Sequence, residues 1–258
     1  MGAASSSRVL IVPAAGLGSR LRATLPKLLT PVNGRPMLDW LVELYRDRVD
    51  STIVVVHPSF ADQVRAHGRT IGARLVYEVQ EAPTGMLDAI VLARETVAAS
   101  DAAQVWITWC DQVAIHPETV ARLATVSDAH PDATLVMPTA FRRDPYIHLE
   151  RNDRGRIVRV LHRREGDRLP DLGESDVGLF SLSRDAYLNA LSEFAAVAGT
   201  GGSTGERNFL PFIPWAAARG DVVTFPCVDE VEAVGVNTPD ELRLVERYLG
   251  ARGSADAL

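Results

Sequence analysis

The chain has 258 residues, 47% hydrophobic and 23% charged, which is enough apolar material for one large α/β domain or a domain with a small insertion. A formal net charge of -6 argues against sequence-independent binding to nucleic acid or to an anionic membrane surface. Cys110 and Cys227 stand in no metal-ligand or C-x-x-C spacing and read as reduced core thiols; with no leader pattern and no apolar run near ~18 residues, the expectation is a soluble cytoplasmic protein.

Short β-branched runs alternate with longer amphipathic segments. The order is strand 9–12, helix 37–48, strand 52–56, helix 60–67, strand 75–79, helix 84–99, strand 105–109, helix 117–129 and strand 134–138. This is a βαβ rhythm, and strands so continuously apolar are expected in a parallel sheet covered on both faces. From Arg142 to Ser175 the rhythm breaks into charged, turn-rich sequence that suggests inserted hairpins. A strand at 177–182, a helix at 185–197 and a glycine-rich loop at 198–205, expected to be mobile, follow. The chain closes with a strand at 222–226, an extended piece at 234–236 and a helix at 239–249, with Thr238 placed to cap it. The predicted fold class is α/β, a Rossmann-like, mainly parallel central sheet with helices on both faces and a small β-hairpin insertion. It divides into a nucleotide-binding core (8–141), an acceptor-binding insertion and loop (142–207) and a return to the core (208–250).

The first strand runs into Ala14-Ala15-Gly16-Leu17-Gly18-Ser19-Arg20, followed by Pro26-Lys27. Glycines here let backbone N–H groups approach an anion, and two fixed cations follow. Leu21 occupies the third glycine position of the dinucleotide fingerprint, and the G-x-x-x-x-G-K-[ST] loop is absent as well. What remains, G-x-G-x-R and then P-K, closely resembles the N-terminal signature of the sugar-phosphate nucleotidyltransferases, especially their N-acetylglucosamine-1-phosphate uridylyltransferase branch. The resemblance extends from Val9 to Leu249. It implies an enzyme that joins a nucleoside triphosphate to a sugar 1-phosphate and releases pyrophosphate, with Arg20 and Lys27 on the reacting phosphates and Ala14, Ala15, Gly16, Gly18 and Ser19 around the nucleotide.

Three further residues fit that resemblance. Asp111 follows the strand at 105–109, and the carboxyl ends of strands in open α/β sheets face the cleft. The resemblance makes it a metal-binding aspartate, with Asn237 of Gly235-Val236-Asn237-Thr238 as its partner and Mg²⁺, replaceable by Mn²⁺, as the ion; one carboxylate and one amide oxygen suffice when phosphate and water complete the shell. The competing readings are helix caps, Asp111 before His116-Pro117 and Asn237 before Pro239. Gln80, with Thr84 and Gly85, matches the family's base-binding element, and its amide can offer a donor and an acceptor to uracil or thymine, so UTP or dTTP is favoured. The alternative is a solvent-facing loop glutamine.

On the acceptor side the chain departs from the family. Tyr146 stands where a glycine-bearing hairpin is expected, His162 where a glutamate is, and Asp176 where an asparagine precedes Gly178; Glu206 keeps its place, but the sequence after it does not. These five residues are the candidate acceptor set, and the acceptor is expected to be a phosphorylated sugar or a sugar-like cyclitol phosphate. A homo-oligomer is compatible with the sequence. Alternatives are cytidylyl or guanylyl transfer to a molybdopterin-like or methylerythritol-phosphate-like acceptor, suggested by Cys110-Asp111-Gln112 and by Val12-Pro13-Ala14-Ala15-Gly16, and a non-catalytic nucleotide-binding regulator.

Overall fold

A computed structural model describes residues 6–16 and 25–255. Strand β1 (Arg8–Ala14) is buried along almost its whole length. Its alternating side chains divide between two separate apolar layers, Leu10 and Val12 in one, Val9 and Ile11 in the other. Strands β4 (Ser51–Val56) and β6 (Gln104–Thr108) divide in the same way, which is the period-2 signature of a sheet covered on both faces.

One layer packs against α1 (Met37–Tyr45), α2 (Pro58–Ile71), α5 (Pro117–Ala129) and α8 (Pro239–Ala255). The other packs against α3 (Met86–Leu92), α4 (Arg94–Ala98), α6 (Leu191–Val197) and α7 (Phe212–Ala217). The two-residue strands β2 (Pro31–Val32) and β3 (Arg35–Pro36) form a small separate pair before α1.

The main sheet has eight strands. β5 (Leu75–Val79), β4, β1 and β6 lie side by side in parallel. Beyond β6 the sheet takes in β11 (Leu179–Ser183), β10 (Leu172–Asp176), β7 (Leu135–Arg143) and β12 (Val222–Pro226). Register fixes their arrangement. Thr139 pairs with Asp176 of β10 and with Pro226 of β12, and Val136 pairs with Ser181 of β11 and with Val223, so β10 and β11 share one edge of β7 and β12 takes the other. Only β10 and β11 run against the other six strands. The hairpin of β8 (Ile147–Arg151) and β9 (Ile157–His162) forms a two-stranded sheet of its own.

Several boundaries differ from the sequence reading for local reasons. The helix expected over 84–99 starts only at Met86, because Gly85 has φ 130°, and it divides at Ala93. The strand expected over 177–182 is interrupted at Gly178, which has φ 71°, and segment 172–176, expected as inserted hairpin, is a strand of the main sheet. Residues 234–236 pair in no strand, whereas α7 and the short turn Glu230–Ala233 give no clear periodic signal. The glycine-rich loop is tied down: Glu165 accepts from Ser203 N (3.0 Å) and Thr204 Oγ1 (2.5 Å). Both cysteines are free but half-buried rather than core. No helix among the described residues is long and apolar enough to cross a membrane.

Gly178 joins β10 to β11 beneath the wall of the cleft. A Cβ there would fall on the Trp109 ring and 2.6 Å from Gln112 Cγ. Gly72, the C-cap of α2, has nearly the same φ (70°) and open space around it. Alanine at Gly72 should cost only the left-handed backbone penalty of about 1–2 kcal/mol. Alanine at Gly178 should cost about 2–4 kcal/mol, because overpacking is added. Urea denaturation of the two variants measures the difference, and equal losses would show that the turn tolerates a side chain.

Candidate active site

Strands β1, β4, β5 and β6 point their carboxyl ends toward a cavity of about 520 Å³, the position where open α/β sheets bind ligands. Ala14, Ala15 and Gly16 leave β1 along its wall, and Lys27 enters from the turn Lys27–Leu29, which the buried Leu28 seats in the core. Gly18, Ser19 and Arg20 lie outside the described residues.

Three residues far apart in sequence meet at the floor. Lys27 Nζ donates to Asp111 Oδ2 (2.6 Å) and to Asn237 Oδ1 (2.8 Å), and Asn237 Nδ2 donates to the same Asp111 oxygen (3.0 Å). The amide orientation is fixed by this pattern and by a second bond from Nδ2 to Gly235 O (3.2 Å). Segment 233–237 runs beside Asp111 as a strap, with Val236 N donating to Asp111 O (3.2 Å). A Cβ on Gly235 would stand 2.9 Å from Asp111 Oδ2, so the strap approaches this closely only as glycine. The capping roles open to these residues are filled by others: His116 Nδ1 accepts from Glu118 N (3.1 Å) at the start of α5, and Thr238 Oγ1 accepts from Glu241 N (3.3 Å) at the start of α8.

The donor set suits a hard divalent cation. Two oxygens, one of them a carboxylate, converge on a single positive charge, and the ammonium stands in for the ion. No group of three or more His, Cys, Asp or Glu side chains gathers among the described residues, so Mg²⁺ or Mn²⁺ held here would take its remaining ligands from phosphate oxygens and water.

Gln80 is buried at the end of β5, and its Nε2 donates to Gly85 O (3.2 Å) and Thr84 Oγ1 (3.3 Å). Because a carbonyl can only accept, Gly85 O sets the amide orientation and leaves Oε1 as the group offered to a ligand. The sequence reading had the amide offer both a donor and an acceptor to the base; here its Nε2 is engaged by Gly85 O and Thr84 Oγ1, and Oε1 is the acceptor that remains. Arg207, absent from the sequence candidates, braces this element: its N donates to Thr84 O (2.8 Å), Leu87 N donates to its O (3.0 Å), and its guanidinium pairs with Asp88.

The acceptor side is assembled from the hairpin and the glycine loop. Tyr146 and His162 meet edge to face with centroids 5.2 Å apart. Asn208 Oδ1 accepts from Leu210 N (3.0 Å), so its Nδ2 is the group that meets His162 Nδ1 (3.1 Å). His162 is therefore an Nδ1 acceptor with its proton on Nε2, and burial holds its pKa below the usual imidazole value. Glu206 is paired with Arg164 (3.2 Å). Asp176 Oδ2 accepts from Gly178 N (2.9 Å), and Gly178 itself lies behind the cavity wall. Arg142, at the end of β7, also lines the cavity; in the sequence it is one cation within a charged stretch, with nothing to single it out.

A family model described as a MobA-like NTP transferase domain matches residues 10–178. The bifunctional protein GlmU of Burkholderia mallei (strain SAVP1) is 30% identical over 255 residues, covering 96% of this chain and 53% of the relative. The chain belongs to the sugar-phosphate nucleotidyltransferase family. GlmU of Maricaulis maris (strain MCS10) is 29% identical over 253 residues, covering 96% of this chain and 54% of that protein, so the chain spans about half the length of these curated relatives. Among solved structures, one from Bacillus anthracis described as a glucose-1-phosphate thymidylyltransferase in complex with sucrose superposes with a TM-score of 0.74 at 16% identity. It covers 93% of this chain and 94% of that one, a likeness of fold.

Asp176 is the residue at which the sequence resemblance led to the expectation of an asparagine before Gly178. Burial pushes the Asp176 carboxyl up to about 6 against the hydrogen bond from Gly178 N. Since the folded-state value lies above the unfolded one, the native state gains stability as pH falls through about 6 and loses it as pH rises. Asp176→Asn should therefore raise stability by about 1–3 kcal/mol at pH 8 and by about half as much at pH 5. Thermal melts of both proteins at the two pH values test this; a gain of the same size at both would place the effect elsewhere.

Proposed function

We propose that this chain catalyses Mg²⁺-dependent transfer of a nucleotidyl group from a pyrimidine nucleoside triphosphate, UTP or dTTP, to a sugar 1-phosphate or a cyclitol phosphate, releasing pyrophosphate. The observation that carries this reading is the meeting of Lys27, Asp111 and Asn237 at the floor of the cleft. An acceptor phosphate oxygen attacks the α-phosphorus in line and pyrophosphate leaves. The substrates supply both nucleophile and leaving group, so positioning and charge neutralisation dominate. Lys27 turns from Asp111 to the α-phosphate and the incoming phosphate, Arg20 holds the β- and γ-phosphates, and Asp111 with Asn237 holds the metal. The ion, when bound, supplies Lewis-acid neutralisation of the phosphate charge.

Gln80 Oε1 supports a base that presents a donor to it, the N3–H of uracil or thymine. The same oxygen favours a second reading, cytidylyl transfer, because cytosine presents its N4 amine. Pyrophosphate release measured across UTP, dTTP, CTP, GTP and ATP with a panel of phosphorylated sugars and cyclitols separates these readings. The expected result is turnover with a pyrimidine triphosphate that Lys27→Ala lowers at least ~10²-fold, measured at a temperature where circular dichroism shows the variant still folded. Nucleotide binding without any pyrophosphate release would make the chain a regulator instead.

A further inference from the structure

Among the described residues that line the acceptor half of the cavity, Arg142 is the cation that makes no ion pair and Asp176 the carboxylate that makes none. Arg164 is paired with Glu206 and Lys27 with Asp111. Asp144, two residues after Arg142, is engaged from both sides by Arg163 at 3.1 and 2.5 Å. Half-buried Arg142 makes no ion pair among the described residues; its Nη1 donates to Ala233 O (3.0 Å). That single bond holds the guanidinium against the strap that carries Gly235 and Asn237 and leaves the Nε–Nη2 edge of the fork for another partner. A guanidinium edge of this kind takes an oxyanion bidentately. The Asp144 carboxylate feels Arg142 only after Arg163, so a half-buried guanidinium in no close ion pair gains from an oxyanion supplied by a ligand.

His162, which also lines the cavity, adds an independent observation. Where a carboxylate would read the hydroxyl donors of a sugar, this site presents an N–H, because Asn208 occupies Nδ1. Two of the residues lining the acceptor half, Arg142 and His162, thus offer N–H donors.

We propose that Arg142 anchors the phosphate of the acceptor, a phosphomonoester, next to the Asp111–Asn237 pair, and that His162 reads a hydrogen-bond acceptor on the body of the same molecule. This rests on the nucleotidyltransferase reading, in which the triphosphate fills the Gly16–Lys27 side and the acceptor fills the side bounded by the hairpin. Arg142 would then be a residue that sets the acceptor's reacting oxygen in place, a role its sequence context does not reveal.

The test is calorimetric titration of inorganic phosphate into the full chain saturated with Mg²⁺ and α,β-methylene UTP, an analogue that cannot be cleaved at the reacting bond. The parental protein should bind one phosphate per chain. Arg142→Gln should weaken phosphate at least tenfold while leaving the affinity for the analogue within twofold, and Arg142→Lys should recover part of the loss, which also guards against a folding defect in the glutamine variant. Phosphate bound equally well by the parental and glutamine proteins would overturn the assignment, as would acetate binding in preference to phosphate, which would make the partner a carboxylate. Failure of the parental protein to bind the analogue at all would count against the nucleotidyltransferase reading, and phosphate titrated into the free protein would still decide the part played by Arg142.

Discussion

A single carboxylate, Asp111, organises this cleft, and an ammonium and an amide hold it in place. Lys27, Asp111 and Asn237 come from the turn after β1, the end of β6 and the strap before α8, so their meeting draws three distant stretches of chain to one point. With the Lys27 and Asp111 side chains only 14% and 11% exposed, breaking the pair leaves a largely desolvated charge, an effect that reaches roughly 3–5 kcal/mol when a buried pair is broken. The pair therefore stabilises the empty cleft while marking the place of the chemistry. In the proposed reaction the carboxylate would exchange the ammonium for a metal ion, and the ammonium would be free to follow the phosphate. Gly235, with no Cβ, lets the strap come this close to the carboxylate.

The rest of the molecule holds that point still. Parallel strands buried on both faces bring their carboxyl ends to one rim, and His116 and Thr238 cap their helices so that Asp111 and Asn237 are spared that task. Along the other rim, Arg207 ties the glycine loop to Thr84 and Leu87, which fixes Gln80 and Gly85 in the orientation where an oxygen faces the ligand.

What the sequence makes legible follows from how local each signal is. The β1 run, the glycines after it and Pro26-Lys27 lie within twenty residues, and the continuous apolar strands announce a doubly covered sheet, so the fold can be read directly and Lys27 can be named as a cleft residue. Asp111 and Asn237 can be named only as candidates, because the same residues at the same positions could cap helices; their meeting is a tertiary fact. Gln80 can be named but not its orientation, which depends on a carbonyl five residues away. The acceptor side is least legible. Arg142 looks like one member of a charged stretch until its bond to Ala233, 91 residues on, sets it beside the strap, and the tautomer of His162 is fixed by Asn208 from another loop. Gly178 is conspicuous in sequence next to Asp176 but serves the turn behind the wall.

The central claim is that Asp111 and Asn237 form a cation site which Lys27 fills until substrate arrives. Its most direct measurement is the binding of Mn²⁺, followed by electron paramagnetic resonance, to the parental chain, Asp111→Asn and Lys27→Ala, each saturated with α,β-methylene UTP. The account predicts one tightly held ion per parental chain, at least tenfold weaker binding in Asp111→Asn, and retention of the ion in Lys27→Ala, where the competing ammonium is gone and the carboxylate remains. Equal Mn²⁺ affinity in the parental and Asp111→Asn proteins would contradict it, and would leave Lys27–Asp111–Asn237 as a structural brace at the floor of the cleft.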